Sequence, residues 1–95
     1  MISIQTIAEK SGWIFTVQVE EERRVTEHRV RMSDDDYKKL SMGAVTPEEC
    51  VRKSFEFLLE RESKESILRE FDIMKIAYYF PEYPKALERR IKGIL

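Results

Sequence analysis

The sequence predicts an α+β fold: a three-stranded antiparallel meander at the N-terminus, with one face covered by a long helix and two to three shorter C-terminal helices. Two patterns carry this expectation. Apolar residues alternate strictly from Trp13 to Val19, with weaker echoes on either side, and from Thr46 onward they recur at three- and four-residue spacing. Ninety-five residues, 42% hydrophobic and 37% charged, supply material for one core, so residues 1–95 are read as a single domain.

The second strand is the clearest. Trp13, Phe15, Val17 and Val19 alternate with Ile14, Thr16, Gln18 and Glu20, as a strand buried on one side requires. Ile2, Ile4, Thr6 and Ala8 precede it, and Thr26, His28, Val30 and Met32 follow it. Glu9 to Gly12 and Glu21 to Arg24 serve as the turns. A slip of one residue would turn every side chain over, so matching the apolar faces fixes the register. The layers are Ala8, Trp13 and Met32; Thr6, Phe15 and Val30; Ile4, Val17 and His28; and Ile2, Val19 and Thr26. The opposite face then carries Ser3, Gln5, Thr16, Gln18, Glu27 and Arg29, together with Ile7, Ile14 and Arg31.

Ser33 is placed to cap a short helix whose first turn holds Asp34, Asp35 and Asp36, with Tyr37 and Leu40 inward and Gly43 as its stop. Thr46-Pro47-Glu48-Glu49 combines a capping hydroxyl, a proline at the first helical position and a capping-box glutamate. From there Cys50, Val51, Ser54, Phe55, Leu58 and Leu59 form the stripe of a long helix that covers the sheet, widened by Phe57. Ser63 is read as the cap of a second short helix holding Ile67, Leu68 and Phe71, and Asp72 as the start of another segment. Residues 73–80 fit a buried helix more easily than a strand, and Pro81 ends them. Pro84 opens a last helix with Ala86, Leu87 and Ile91 inward and Gly93 as its stop.

Composition excludes more than it assigns. Seventeen basic residues against eighteen acidic ones give a net charge of −1, so no overall field draws in nucleic acid. A lone cysteine, Cys50, allows no intramolecular disulfide and no cysteine metal cage. With no signal-peptide pattern and no apolar run of bilayer length, a soluble, cytoplasmic protein without membrane association is expected. No glycine-rich phosphate loop, nucleophile elbow or zinc-protease motif is present, and no cofactor is expected.

Candidate chemistry is sparse. His28 is the only histidine and falls on a core-facing strand position, which suits a hydrogen-bonded structural group. Cys50, in the first turn of the long helix, could meet His28 over the same sheet face in a thiol–imidazole pair. Three consecutive aspartates lack the alternating spacing of a calcium loop and fit helix-start charge instead. Lys85, Arg89, Arg90 and Lys92 complement a helix C-terminus. Tyr78, Tyr79, Phe80 and Tyr83 either close the core or form a sticky surface.

His28 and Val30, Tyr37 and Leu40, Thr46-Pro47-Glu48, Phe57 to Glu62, Ser66-Ile67-Leu68, Phe71-Asp72 and Tyr79 to Tyr83 together resemble a family of small uncharacterised prokaryotic proteins. That resemblance covers most of the chain and implies a stand-alone domain without an assigned activity. A second resemblance, over Thr26 to Arg61 only, is to ribbon-helix-helix DNA-binding proteins, and it implies Arg29 and Arg31 as base readers. The short first helix, the in-chain partners of the strand and the acidic surroundings depart from that pattern.

The expectation is therefore a non-enzymatic interaction domain whose partner is a protein or a second copy of itself. Its contact surface would be the open sheet face around Ile7, Ile14, Thr16, Arg29 and Arg31, or the aromatic turn at Tyr83. The alternatives are a ribbon-helix-helix regulator and an enzyme using Cys50 and His28.

Overall fold

The computed structural model describes residues 1–94. Its elements are β1 (Ile2–Glu9), β2 (Gly12–Glu21), β3 (Arg24–Ser33), α1 (Asp34–Ser41), α2 (Pro47–Leu59), a 3-10 turn at Lys64–Ser66, β4 (Glu70–Asp72), α3 (Lys75–Tyr79) and α4 (Tyr83–Ile94). The N-terminal meander is present, with the long α2 and the shorter helices following it, and the fold is α+β.

Every expected layer of the meander is found: Ala8 pairs Trp13 and Trp13 pairs Met32, and the register runs unbroken to Ile2, Val19 and Thr26. The reason is the apolar set of β2. Phe15, Val17 and Val19 are fully buried, and a slip of one residue would expose all of them. Each such side chain contributes about 1.5–3 kcal/mol when withdrawn from water.

The sheet has one more strand than the sequence pattern shows. Ile67, Leu68 and Phe71 do not share a helix; the chain makes only the short 3-10 turn, and Ser63 forms no backbone cap there. Residues 70–72 then add to β3 in parallel, with Arg29 N–H donating to Arg69 O at 2.7 Å and Ile73 N–H to Arg31 O at 2.8 Å. The unpaired side of β3 supplies the cause: its outward N–H and C=O groups need partners, and β4 meets them while turning Phe71 into the core. Asp72 ends β4 and does not begin the next segment; its carboxylate accepts from Met74 N–H at 2.9 Å in the turn that leads to α3. Residues 75–79 are helical as expected, but Tyr78 and Tyr79 face outward, at 75% and 56% exposure.

The predicted caps at Ser33 and Thr46 form. Ser33 Oγ accepts from Asp36 N–H and Thr46 Oγ1 from Glu49 N–H, each at 3.1 Å. The helix α1 closes through Met42 in the left-handed region, followed by Gly43 with φ 73°. Gly93 does not stop α4, which runs to Ile94. Phe55 of α2 sits over the sheet against His28 and Phe71, with ring centroids at 5.4 and 6.2 Å. Phe57 points to the other side of α2, meeting Phe80 and Tyr83, with the Arg61 guanidinium 3.7 Å from its ring centre.

Two turn positions generate predictions. Gly12 lies so close to β3 that a Cβ there would overlap Met32 O and stand 2.8 Å from Ser33 Cα. Gly12→Ala is expected to lower the urea-unfolding free energy by about 1–3 kcal/mol, because backbone rather than a movable side chain must yield. At the β2–β3 turn, Glu22 and Arg23 both take positive φ, 53° and 66°, which side chains resist and Asn-Gly accepts. Replacing Glu22-Arg23 by Asn-Gly should raise stability by about 1 kcal/mol or more, read as a higher urea midpoint at an unchanged slope.

Candidate outer sheet face

The helices pack on the side of Phe15, Val17, His28 and Val30, so among the described residues the other side of the sheet has no covering element. Pairing aligns its residues in rungs: Ile7, Ile14, Arg31 and Asp72 across one, and Gln5, Thr16, Arg29 and Glu70 across the next. Five of the six residues expected at a contact surface therefore lie together. Ile7 is 55% exposed, Ile14 and Thr16 are half-buried by their neighbours, and Arg29 and Arg31 are exposed.

Tyr83 does not belong with them. Its side chain is fully buried, and its hydroxyl lies 2.6 Å from Ser54 Oγ. Ser54 Oγ–H donates to the Cys50 carbonyl at 2.8 Å, so Tyr83 is the donor to Ser54. Pro81 and Pro84 bracket a turn, but α4 starts at Tyr83 itself and aims the ring at Phe57. Burial raises the phenol far above its usual range.

The electrostatics of the outer face are unusual in one respect. Arg29 and Arg31 stand opposite Glu70 and Asp72 across the β3–β4 pair, yet among the described residues neither guanidinium comes within ion-pair distance of a carboxylate. Arg69 is likewise without an ion pair. Other surface charges do pair: Lys92 with Glu88 at 2.7 Å, Arg61 with Glu82 at 3.3 Å, and Arg90 with Glu60. Thr16, Glu27, Arg29, Arg69 and Glu70 line a depression of about 410 Å³. Its walls are charged and open, unlike the mostly apolar enclosure of a small-molecule site. An apolar cleft under α3, lined by Leu58, Ile67, Phe71, Ile76 and Phe80, has about 30 Å³ of free space, room for roughly one water.

Among the described residues no hydrogen bond joins Cys50 to His28. Both residues are fully buried, but His28 Nδ1 lies 2.8 Å from Leu68 O and Nε2 lies 2.9 Å from Thr26 Oγ1. Leu68 O can only accept, so Nδ1 carries the proton and Nε2 accepts from the Thr26 hydroxyl. Neither nitrogen is left to take a proton from a thiol. Burial pushes the Cys50 thiol up to about 12, the opposite of what a nucleophilic thiolate requires. Among the described residues no group of three or more His, Cys, Asp or Glu side chains could hold a metal, and no helix is long and apolar enough to cross a membrane.

No family model matches the chain, and neither a curated protein nor a solved structure matches it significantly. The site is therefore read from its geometry. One departure from the ribbon-helix-helix pattern now has a structural form. β3, which carries Arg29 and Arg31, is paired on both sides within its own chain, by β2 and by β4. Over Arg29–Arg31, the stretch that β4 covers, it has no free edge with which to build a ribbon between two copies.

His28 yields a pH prediction. Desolvation is the main cause that holds its pKa below 6.5, with the Arg69 charge adding to it; the Leu68 bond and the Glu27 charge oppose them. Because the folded value is depressed, the unfolded chain takes up the proton more readily. This contribution is complete above 6.5 and shrinks as pH falls from there toward the folded pKa. The urea midpoint is expected to drop between about pH 7 and about pH 5.5, where few carboxylates titrate. A His28→Gln variant, less stable throughout, should be flat over that window.

Proposed function

We propose that this chain is a non-enzymatic interaction domain that binds a protein partner through the uncovered outer face of its sheet. The observation that supports this reading is the joining of Ile7 and Ile14 to unpaired guanidinium groups on the same two rungs. Isoleucine side chains supply apolar area. Arginines without an internal carboxylate keep their fork of donors for an acidic group on the partner, at no cost of breaking an existing ion pair. The patch sits on a rigid four-stranded sheet, so binding orders little that was not already ordered.

The interleaved carboxylates Glu27, Glu70 and Asp72 favour a protein over a polyphosphate backbone, because each would repel a row of phosphates. Its test is affinity capture with the native protein as bait, followed by titration of each captured protein. Ile14→Glu should weaken a genuine partner at least tenfold, and Arg29→Ala with Arg31→Ala should do the same with a loss of salt sensitivity, while thermal stability changes little. Retention on duplex DNA abolished by the same arginine changes would overturn the reading. So would a captured partner indifferent to both changes.

A further inference from the structure

The two edges of the sheet are treated very differently. On the β4 side the edge strand is only three residues long, and its Phe71 is flanked by Glu70 and Asp72. Short length and charge are standard means of keeping a sheet edge from pairing with another chain. On the other side β1 runs for eight residues, and from Ile2 to Ala8 it carries no charge, no proline and no bulge in its pairing with β2.

Which backbone groups face outward follows from the ladder. Met1 and Glu20 exchange both hydrogen bonds, at 2.7 and 2.8 Å, so the directly bonded pairs are the alternate ones that follow: Ser3–Gln18, Gln5–Thr16 and Ile7–Ile14. The far side of β2 agrees. Arg29 N–H and Arg31 O point to the β4 side, which turns His28, Val30 and Met32 toward β2 and leaves the even-numbered residues of β2 for β1. In β1 the N–H and C=O groups of Ile2, Ile4, Thr6 and Ala8 therefore point off the edge. The carbonyl of Ile2 is taken by Arg52 of α2 at 2.6 Å. Those of Ile4, Thr6 and Ala8 have no partner among the described residues, and Thr6 and Ala8 are exposed.

We infer that β1 is a self-pairing seam: two copies join antiparallel along Ile4 to Ala8, with Thr6 facing Thr6 on a two-fold axis, to make one continuous eight-stranded sheet. The Arg52 bond selects this register. Centring on Gln5 would require Ile2 to exchange hydrogen bonds with Ala8 of the other copy, whereas centring on Thr6 pairs Ile4 with Ala8 and leaves Ile2 to Arg52. A two-fold axis normal to the sheet keeps both helical layers on one side and both outer faces on the other. The facing residues are uncharged, so a second copy meets no like-charge repulsion, and threonine opposite threonine is a favourable cross-strand pair. The contact is isologous and closes at two copies, because the β4 edge is short and charged. It depends on edge backbone and not on the side chains around Ile14, so it can fail without touching the outer-face reading.

The test is a charge exchange at the axis. Thr6→Lys and Thr6→Glu change an exposed side chain whose N–H is not used inside the fold, and circular dichroism checks that each remains folded. Wild type at rising concentration up to millimolar should sediment as a monomer–dimer equilibrium. Each variant alone should lose the dimer, and an equimolar mixture of the two should regain it, since opposite charges then face each other. Hydrogen exchange should show the amides of Ile4, Thr6 and Ala8 becoming protected with concentration, while those of Ser3, Gln5 and Ile7 are protected throughout. A wild type monomeric at every concentration would overturn the inference. So would a dimer kept by Thr6→Lys, or broken by Ile14→Glu instead. Open-ended aggregation with no dimer plateau would overturn it as well.

Discussion

Everything else in this molecule hangs on the parity of β2. Its odd-numbered side chains, Trp13 to Val19, all face the helices, and three of them are sealed from solvent. Its odd-numbered backbone groups face β3 and its even-numbered ones β1. Side chains and backbone groups both alternate with period two, so one buried face fixes them together. Parity then passes outward strand by strand. It sets Val30 and His28 inward on β3, leaves Arg29 and Arg31 outward, and points the amides of those arginine positions toward β4.

His28 ties β3 to the residues just before β4, forty positions further along the chain. Its Nδ1–H reaches Leu68 O, just before the parallel strand, and its other nitrogen takes the hydroxyl of Thr26. A parallel pair cannot be joined by a tight turn, so residues 34–69 must run through α1, α2 and the 3-10 turn before returning to β3. At the point of return, backbone bonds from Arg29 and Ile73 are joined by this side-chain bond, and the Phe55 ring packs against His28 and Phe71. A buried neutral histidine with both nitrogens satisfied thus has a structural use that explains its place without catalysis.

The meander was legible residue by residue because a two-residue period in Trp13 to Val19 admits one register, and the helix starts because Ser33 and Thr46 carry their own capping chemistry. Legibility failed where structure depended on distant groups. Glu70-Phe71-Asp72 has one apolar residue between two charges, too little for any period; it is a strand only because β3 lies alongside with free backbone groups. Tyr83 follows a proline and a glutamate, and its sequence allows either a place in the core or a surface turn; its hydroxyl finds Ser54, twenty-nine residues earlier. Nothing local announces that bond. Of the outer face, Ile7, Ile14, Thr16, Arg29 and Arg31 were legible because they are the complement of the core. That Arg29 and Arg31 lack internal carboxylate partners was not, since the sequence places Glu70 and Asp72 in a different element.

A four-stranded sheet with one covered face has three remaining surfaces, and the chain handles each differently. The outer face mixes both signs of charge around two isoleucines, which keeps it hydrated and discourages indiscriminate adhesion while leaving area for a specific contact. The β4 edge is closed by brevity and charge. The β1 edge has neither protection, although a single lysine at the exposed Thr6 would have supplied it at little cost to the fold. Among the described residues its only side-chain hydrogen bond comes from Arg52, which closes one end and leaves the middle free. A strand that places threonine and alanine where a charge would be tolerated resembles the inside of a sheet more than its border. The local chemistry of β1 is that of a strand with neighbours on both sides.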